Sequence, residues 1–116
     1  MTQSVDIEKL ESFIGKSVKI RGIVKDIQDH GGLIFIEVSD LKNFAKALIS
    51  PDKKDIHELA NQVKKGYLVE ISGFVKSCPL SAQHSGCELE AESLAIISVR
   101  GKMANVIRLA NKKRLV

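Results

Sequence analysis

Two aromatic residues, Phe35 and Phe44, lie in segments whose side chains alternate between two faces. Side chains on a β-strand point to opposite faces in turn. In Leu33–Ser39 the isoleucines and the valine fall on one face, whereas Phe35 and Glu37 fall on the other. Because unpaired charges are rarely buried, the face with Glu37 is expected to lie outside. Phe35 would then present an aromatic ring on an outer surface.

The same alternation places side chains from three predicted strands on the outer face. They are Lys19, Arg21, Gln28, Phe35, Glu37, Phe44 and Lys46. Aromatic rings stack on unpaired bases, at about 1–3 kcal/mol per base, and cations contact phosphates. This mixture predicts a face that binds single-stranded nucleic acid. Alternatively, the C-terminal tail or a partner protein covers the two phenylalanines. A shift of one residue in register would reverse the face of a whole strand.

Charge is unevenly distributed along the chain. The total is +4, but residues 99–116 contain six Lys or Arg and no acid, so the remainder carries −2. Such asymmetry suggests a nucleic acid or acidic partner for the tail. The tail cations proposed to make these contacts are Arg108, Lys112, Lys113 and Arg114. Apolar spacing from Met103 predicts a short amphipathic helix before this basic tip. The alternative is a solvated C-terminal segment that docks on the chain's own barrel.

Composition excludes several classes of protein. A chain of 116 residues with 44% hydrophobic and 28% charged residues suits one folded domain. No apolar run approaches the roughly 18–20 residues of a membrane helix, and the start of the chain lacks a secretory pattern. Two cysteines do not make a disulfide scaffold. We therefore expect a reduced, cytoplasmic setting and no membrane partner.

The strongest candidates for metal ligands are Cys78, His84 and Cys87, at the two ends of one polar loop. A structural zinc site needs four ligands, and the chain has no CxxC pair, so we predict free thiols and no metal. The GxSxG, HExxH and GxxxxGK[ST] motifs are also absent from the sequence. Neither a cofactor nor catalysis by this chain alone is predicted.

Five strands and one helix are predicted to position the outer side chains. Gly31 and Gly32 form a tight turn between the first two strands, and Gly22 and Gly73 mark bends within long strands. Inward positions at Val24 and Ile27 break the two-residue period and indicate a bulge. The predicted strands are Ser17–His30, Leu33–Ser39, Phe44–Ile49, 67–78 and 87–98.

A helix is predicted between the third and fourth strands. It would start with Ser50 as N-cap and Pro51 in the first turn, and end at residues 64–66. His57 is expected to be solvated on this helix. A short lead-in helix or turn at residues 6–14 would bury Phe13 in the core.

The order β-β-β-α-β-β with glycine bends predicts a mainly β fold, the five-stranded oligonucleotide-binding (OB) Greek-key barrel. Another small barrel with an inserted helix is the alternative. Residues 1–98 would form the nucleic-acid-binding domain, and residues 99–116 the basic tail.

Several segments together resemble a known family. They are residues 18–22, 29–36 with Asp40, 69–75, Gly86 and 88–91. These segments resemble the N-terminal anticodon-binding domain of class II aspartyl- and asparaginyl-tRNA synthetases, over about residues 17–98. The catalytic domain that follows in that family is not in this sequence. The chain is therefore either one domain of a synthetase or a free-standing relative.

The resemblance implies that Phe35 stacks on an anticodon base. Lys46 stands where the family usually has a glutamine that reads a base, and Gln28 stands where an arginine is common. Lysine cannot accept a hydrogen bond, so Lys46 would favour acceptor edges or phosphate. The expected partner is RNA, a tRNA anticodon loop first, with single-stranded DNA or ribosomal RNA as alternatives. A protein-interaction module that uses the outer aromatic face is the competing class, and the −2 body favours it.

Overall fold

Seven strands and two short helices make up the part of the chain that the structure describes. This computed structural model describes residues 3–77, 87–99 and 102–103. In chain order the elements are β1 (Gln3–Ser4), a 3₁₀ helix (Ile7–Phe13), β2 (Ser17–His30), β3 (Leu33–Ser39), β4 (Phe44–Ile49), α1 (Lys54–Ala60), β5 (Leu68–Ser77), β6 (Cys87–Val99) and β7 (Lys102–Met103).

The five longer strands close into a barrel because β2 pairs with two partners. Its first half runs antiparallel to β5, and its second half runs antiparallel to β3. Strand β4 then pairs with β3 on one side and, in parallel, with β6 on the other. The antiparallel pair of β5 and β6 completes the ring. This closed barrel with a helix between β4 and β5 confirms the predicted OB fold.

The alternation read from the sequence is confirmed in the core. Every second side chain of β3 is buried, and so are the inward alanines and isoleucine of β4. The bulge is present as a register shift between Val24 and Asp26, so Ile27 packs against the core as predicted. Phe13, the last residue of the 3₁₀ helix, is partly buried against the same core, and Ile7 and Leu10 of that helix are buried.

The predicted helix is too long at both ends. At its start, Ser50 and Pro51 form a turn instead, in which the Ser50 hydroxyl accepts the amide of Asp52 at 3.1 Å and the Ser50 carbonyl accepts that of Lys53. Helix α1 begins only at Lys54. Side-chain bonds of serine to its own neighbouring backbone favour turns as well as helix caps, and here the turn forms. Helix α1 ends at Ala60, before the predicted end at residues 64–66, because the amides of Gln62 and Val63 donate to carbonyls only three residues back and form turns.

The two-residue strands at the ends of the sheet were not predicted. Strand β1 lies parallel to β2, with Gln3 opposite Val18. Met103, which the sequence assigns to a helix, lies in β7, antiparallel to β6. The remaining tail and the loop at residues 78–86 lie outside the described residues. No helix in the described ranges is long and apolar enough to cross a membrane.

Gly73 lies where the backbone of β6 closely approaches that of β5. The register of the pair shifts between Ser72 and Gly73, as the predicted mid-strand bend requires. A Cβ atom at Gly73 would fall against the carbonyl of Glu90 and within 2.9 Å of the Cα of Ala91. Both obstacles are backbone atoms, so a side chain here would have to displace β6.

We expect Gly73→Ala to lower the free energy of unfolding by at least about 2 kcal/mol, because the added methyl overpacks a backbone contact. Urea denaturation of the parent and the variant measures this loss. Ser72→Ala, on the neighbouring residue, is the control and should change stability by less than about 0.5 kcal/mol. Equal stability of the parent and Gly73→Ala would show that the two strands separate more easily than this contact implies.

Candidate nucleic-acid interface

The hairpin of β2 and β3 carries the centre of the predicted face. Gly31 and Gly32 both have positive φ, 66° and 99°, as the type I′ turn of a two-residue hairpin requires. The Asp29 carboxylate closes the turn by accepting the Gly32 amide at 2.8 Å. The register that follows places Gln28 opposite Phe35 on the outer face. The turn therefore fixes which side of β3 presents its aromatic ring.

The Phe35 ring contacts one cationic and one polar neighbour. The Lys46 ammonium lies over the ring, 5.4 Å from its centroid. The His30 ring meets Phe35 edge to face, with centroids 5.2 Å apart and an interplanar angle of 84°. The side chain is half-buried, and its β4 neighbour Leu48 is only 8% exposed. Phe35 is thus a supported platform rather than a loose exposed ring.

A chain of hydrogen bonds and one ion pair connects His30, beside Phe35, to Lys65. His30 Nε2 lies 2.9 Å from Gln28 Oε1, and Gln28 Nε2 donates to the Asp26 carboxylate at 3.0 Å. The Asp26 carboxylate also pairs with Lys65 at 3.8 Å. Because the Gln28 oxygen accepts, His30 Nε2 must carry the proton. These hydrogen bonds orient the His30 ring beside Phe35.

Glu37, Lys46 and Phe44 also lie on the outer side of the sheet. Glu37 is directly opposite Asp26 on β2 and Lys46 on β4, so Lys46 stands beside an acid as well as over Phe35. Phe44 is 44% exposed and lies opposite Ser39, at the other end of β3 from the platform. Phe44 is therefore outward as predicted but apart from Phe35.

Lys19 and Arg21 lie outside the hairpin, on the half of β2 that pairs with β5. Arg21 Nη2 donates to the Glu70 carboxylate at 3.0 Å, and Lys19 Nζ lies 3.9 Å from the same group. Both cations point outward as the parity argument expected. They share an acid that sequence reasoning missed, which halves their joint charge.

The chain's remaining candidates are tail cations and metal ligands. Arg108, Lys112, Lys113 and Arg114 lie outside the described residues, as do Cys78 and His84. Cys87 is described and buried. Within residues 3–77 and 87–99, no three potential ligand side chains converge on a metal position.

His57 is not the solvated helix residue that the sequence suggested. Its Nε2 lies 2.6 Å from the carbonyl oxygen of Gly32, in a partly buried position. Since a carbonyl can only accept, the imidazole donates this bond. Helix α1 thereby holds the tip of the hairpin that carries His30 and Phe35.

Some of the site residues that were not predicted could have been found from the sequence, and others could not. Asp26 and His30 alternate with Gln28 on the same strand, so parity alone would have placed both on the outer face. Glu70 and His57 meet their partners across 49 and 25 residues of chain. No local pattern signals such contacts, because they depend on which strands and helices become neighbours.

The chain is similar to a known family of nucleic-acid-binding domains and to longer proteins that contain a related segment. A family model described as an OB-fold nucleic acid binding domain, tRNA_anti-codon, matches residues 18–97. The chain is 28% identical over 95 residues to the aspartate–tRNA(Asp/Asn) ligase of Endomicrobium trichonymphae, covering 82% of this chain and 16% of that protein. This chain thus spans about a sixth of the length of that curated relative.

Solved structures share the fold. Asparaginyl-tRNA synthetase from Pyrococcus horikoshii superposes with a TM-score of 0.74 and 22% identity, over 85% of this chain and 24% of that one. An OBody, AM3L09, bound to hen egg-white lysozyme superposes with a TM-score of 0.75 and 16% identity, over 84% of this chain and 97% of that one.

We expect His57→Ala to destabilise the protein by about 1 kcal/mol, because the Gly32 carbonyl loses its donor in a partly buried site. Amide hydrogen exchange at residues 30–33 should accelerate. His57→Gln supplies another N–H donor and should restore part of both effects. If exchange in the turn is the same in the parent and in His57→Ala, then α1 does not hold the hairpin.

Proposed function

Because the chain belongs to the tRNA anti-codon family of OB-fold nucleic acid binding domains, we propose that its outer face binds the unpaired anticodon loop of a tRNA. Phe35 would stack on one base of that loop. The chain would act in the cytoplasm, and joined to a catalytic domain it would serve an aminoacyl-tRNA synthetase. Aspartyl and asparaginyl enzymes are the first candidates, because the related proteins carry those names.

The observation that carries this proposal is the supported ring of Phe35. A half-buried ring, in edge-to-face contact with His30 and covered by Lys46, loses little freedom when a base stacks on it. Bases stack on aromatic rings irrespective of sequence, at about 1–3 kcal/mol each. Lys46 would move aside with its flexible stem and contact the base or its phosphate.

Lys46 also bears on which base is preferred. An ammonium group has three donors and no acceptor, so it matches a carbonyl oxygen or a ring nitrogen. Gln28 offers little freedom to read a second base, since its amide is engaged by Asp26 and His30. We therefore assign base recognition at the platform to Lys46, and a positioning role to Gln28.

Phosphate contacts on the described face are expected to be weak. Lys19 and Arg21 share Glu70, Lys46 lies beside Glu37, and Lys65 pairs with Asp26. Each acid reduces the field that a phosphate would meet. We assign most of the salt-sensitive affinity to Arg108, Lys112, Lys113 and Arg114 in the tail, which would contact a neighbouring RNA helix without reading its sequence.

A second candidate is a protein-binding role for the loop between β3 and β4. Leu41 is 93% exposed and has a positive φ of 97°, and Phe44 beside it is 44% exposed. Exposed apolar side chains of this kind suit a protein contact. An apolar interface weakens little with salt, whereas binding to RNA phosphates weakens steeply, so a salt series separates the two candidates.

We expect Phe35→Ala to lower affinity for an anticodon stem-loop by about 1–3 kcal/mol, or roughly fivefold to 150-fold, because the stacking platform is removed. Fluorescence anisotropy with labelled RNA measures the change. Phe74→Ala is the matched control, since Phe74 is 37% exposed on β5 and is not part of the proposed face. Equal reductions in both variants, or none in either, would contradict the proposed site.

Matched single-stranded DNA and a ribosomal RNA fragment belong in the same assay. If DNA binds as tightly as RNA and responds equally to Phe35→Ala, the site is a general single-strand binder. Preference for the ribosomal fragment over every anticodon stem-loop would redirect the proposal from tRNA to ribosomal RNA.

We expect a chain truncated after Met103 to bind RNA with a shallower salt dependence, because the four tail cations are removed while β7 is kept. The log–log slope should fall by about 0.7–0.9 for each phosphate that the tail no longer neutralises. In the truncated chain Phe35→Ala should still reduce affinity. An unchanged slope would exclude the tail as an RNA contact, and a truncated chain that no longer binds RNA would show that the barrel face does not bind on its own.

A further inference from the structure

A cleft of about 290 Å³ lies beside the N-terminal strand, apart from the Phe35 platform. Its walls are the segment Ser4–Ile7, the stretch of β2 from Lys19 to Arg21, Asp40 at the end of β3, and Glu70 on β5. The Val5 amide donates to the Lys19 carbonyl at 2.9 Å, which fixes the N-terminal wall against β2. The volume lies near the lower end of the range for small-molecule pockets, which suits one flat ring.

The lining of the cleft offers hydrogen-bond acceptors to a ligand, because its cations are already in ion pairs. Three acidic residues, Asp6, Asp40 and Glu70, line the cleft together with two cations, and both cations are paired with Glu70. The cleft is therefore a poor place for a phosphate group. It suits a neutral group that presents N–H donors to a carboxylate.

Among these acidic residues, Asp40 has a carboxylate that backbone hydrogen bonds already hold in place. Its Oδ1 atom accepts the backbone amides of Asn43 at 2.9 Å and of Lys42 at 3.3 Å, so the loop fixes the carboxylate. Among the residues that the structure describes, Oδ2 has no such donor. A carboxylate oriented through one oxygen leaves the other to receive a ligand without loss of side-chain freedom.

We propose that this cleft holds the base of a second nucleotide of the bound RNA strand, and that Asp40 selects a base with an exocyclic amino group over uracil. The proposal rests on the RNA binding proposed above and adds a second subsite to it. Cytosine donates through its amino group to acidic side chains. Uracil has a carbonyl oxygen at the same ring position, which a carboxylate repels.

The position of the cleft fits one continuous strand of RNA. Asp40 lies five residues beyond Phe35, directly after the end of the same strand, or about 16 Å at the rise of an extended chain. OB folds bind about 4 or more nucleotides, so one stacking platform does not account for a full site. An RNA strand that follows β3 from the platform would bring a later base to the cleft.

The test compares labelled cytidine and uridine octamers by anisotropy at neutral pH. Asp40→Asn keeps an oxygen for the loop amides but removes the charge and adds an N–H₂ donor, so it should favour uracil. We expect the ratio of cytidine to uridine affinity to fall by about fivefold or more. Glu58→Gln, an exposed acid on α1, makes the same change of charge and should leave the ratio unchanged.

Phe35→Ala separates this proposal from the one on which it rests. It should weaken both octamers, and Asp40→Asn should still lower the cytidine to uridine ratio when it is added to Phe35→Ala. If Phe35→Ala weakens binding while Asp40→Asn leaves the ratio unchanged, the cleft proposal is overturned and RNA binding stands. If Glu58→Gln shifts the ratio as much as Asp40→Asn, the effect is one of net charge and the cleft proposal again fails. If the parent binds neither octamer, both proposals fail.

Discussion

The two-partner pairing of β2 is the constraint on which the rest of the structure depends. Ile23 lies opposite Leu68 of β5 and opposite Ser39 of β3, and the bulge directly after Val24 turns the strand from one partner to the other. Without that turn the sheet could not close, because a barrel needs strands that bend between neighbours. The same turn divides the outer surface. Residues 17–23 of β2 pair with β5, and the residues from Ile23 onward pair with β3.

This division explains why the seven predicted binding residues do not form one uniform basic patch. In the first half of β2 the cations meet Glu70, and in the second half Gln28 supports the hairpin that presents Phe35. Exposed ion pairs of this kind contribute at most about 1 kcal/mol each to stability. Their main consequence is to lower the positive field of the face, so that binding there would depend on stacking and hydrogen bonds more than on charge.

Sequence alone predicted most of the barrel and less of the candidate site. Strict alternation in β3, the Gly31–Gly32 turn and the broken period in β2 are local signals, and the bounds of β2, β3 and β4 match the structure at both ends. The outward direction of Phe35 followed from the same pattern. The bond from His57 to Gly32 and the shared acid at Glu70 could not be read, because each joins segments brought together only by barrel closure.

The most direct test of the central claim is a map of amide chemical-shift changes when an isotope-labelled chain is titrated with an anticodon stem-loop. We expect the largest changes around His30, Phe35 and Lys46, on the outer side of the β2–β3 hairpin and its neighbour β4. Changes confined to the residues after Met103, with none on the hairpin, would contradict the claim, because the tail would then bind RNA while the barrel face did not.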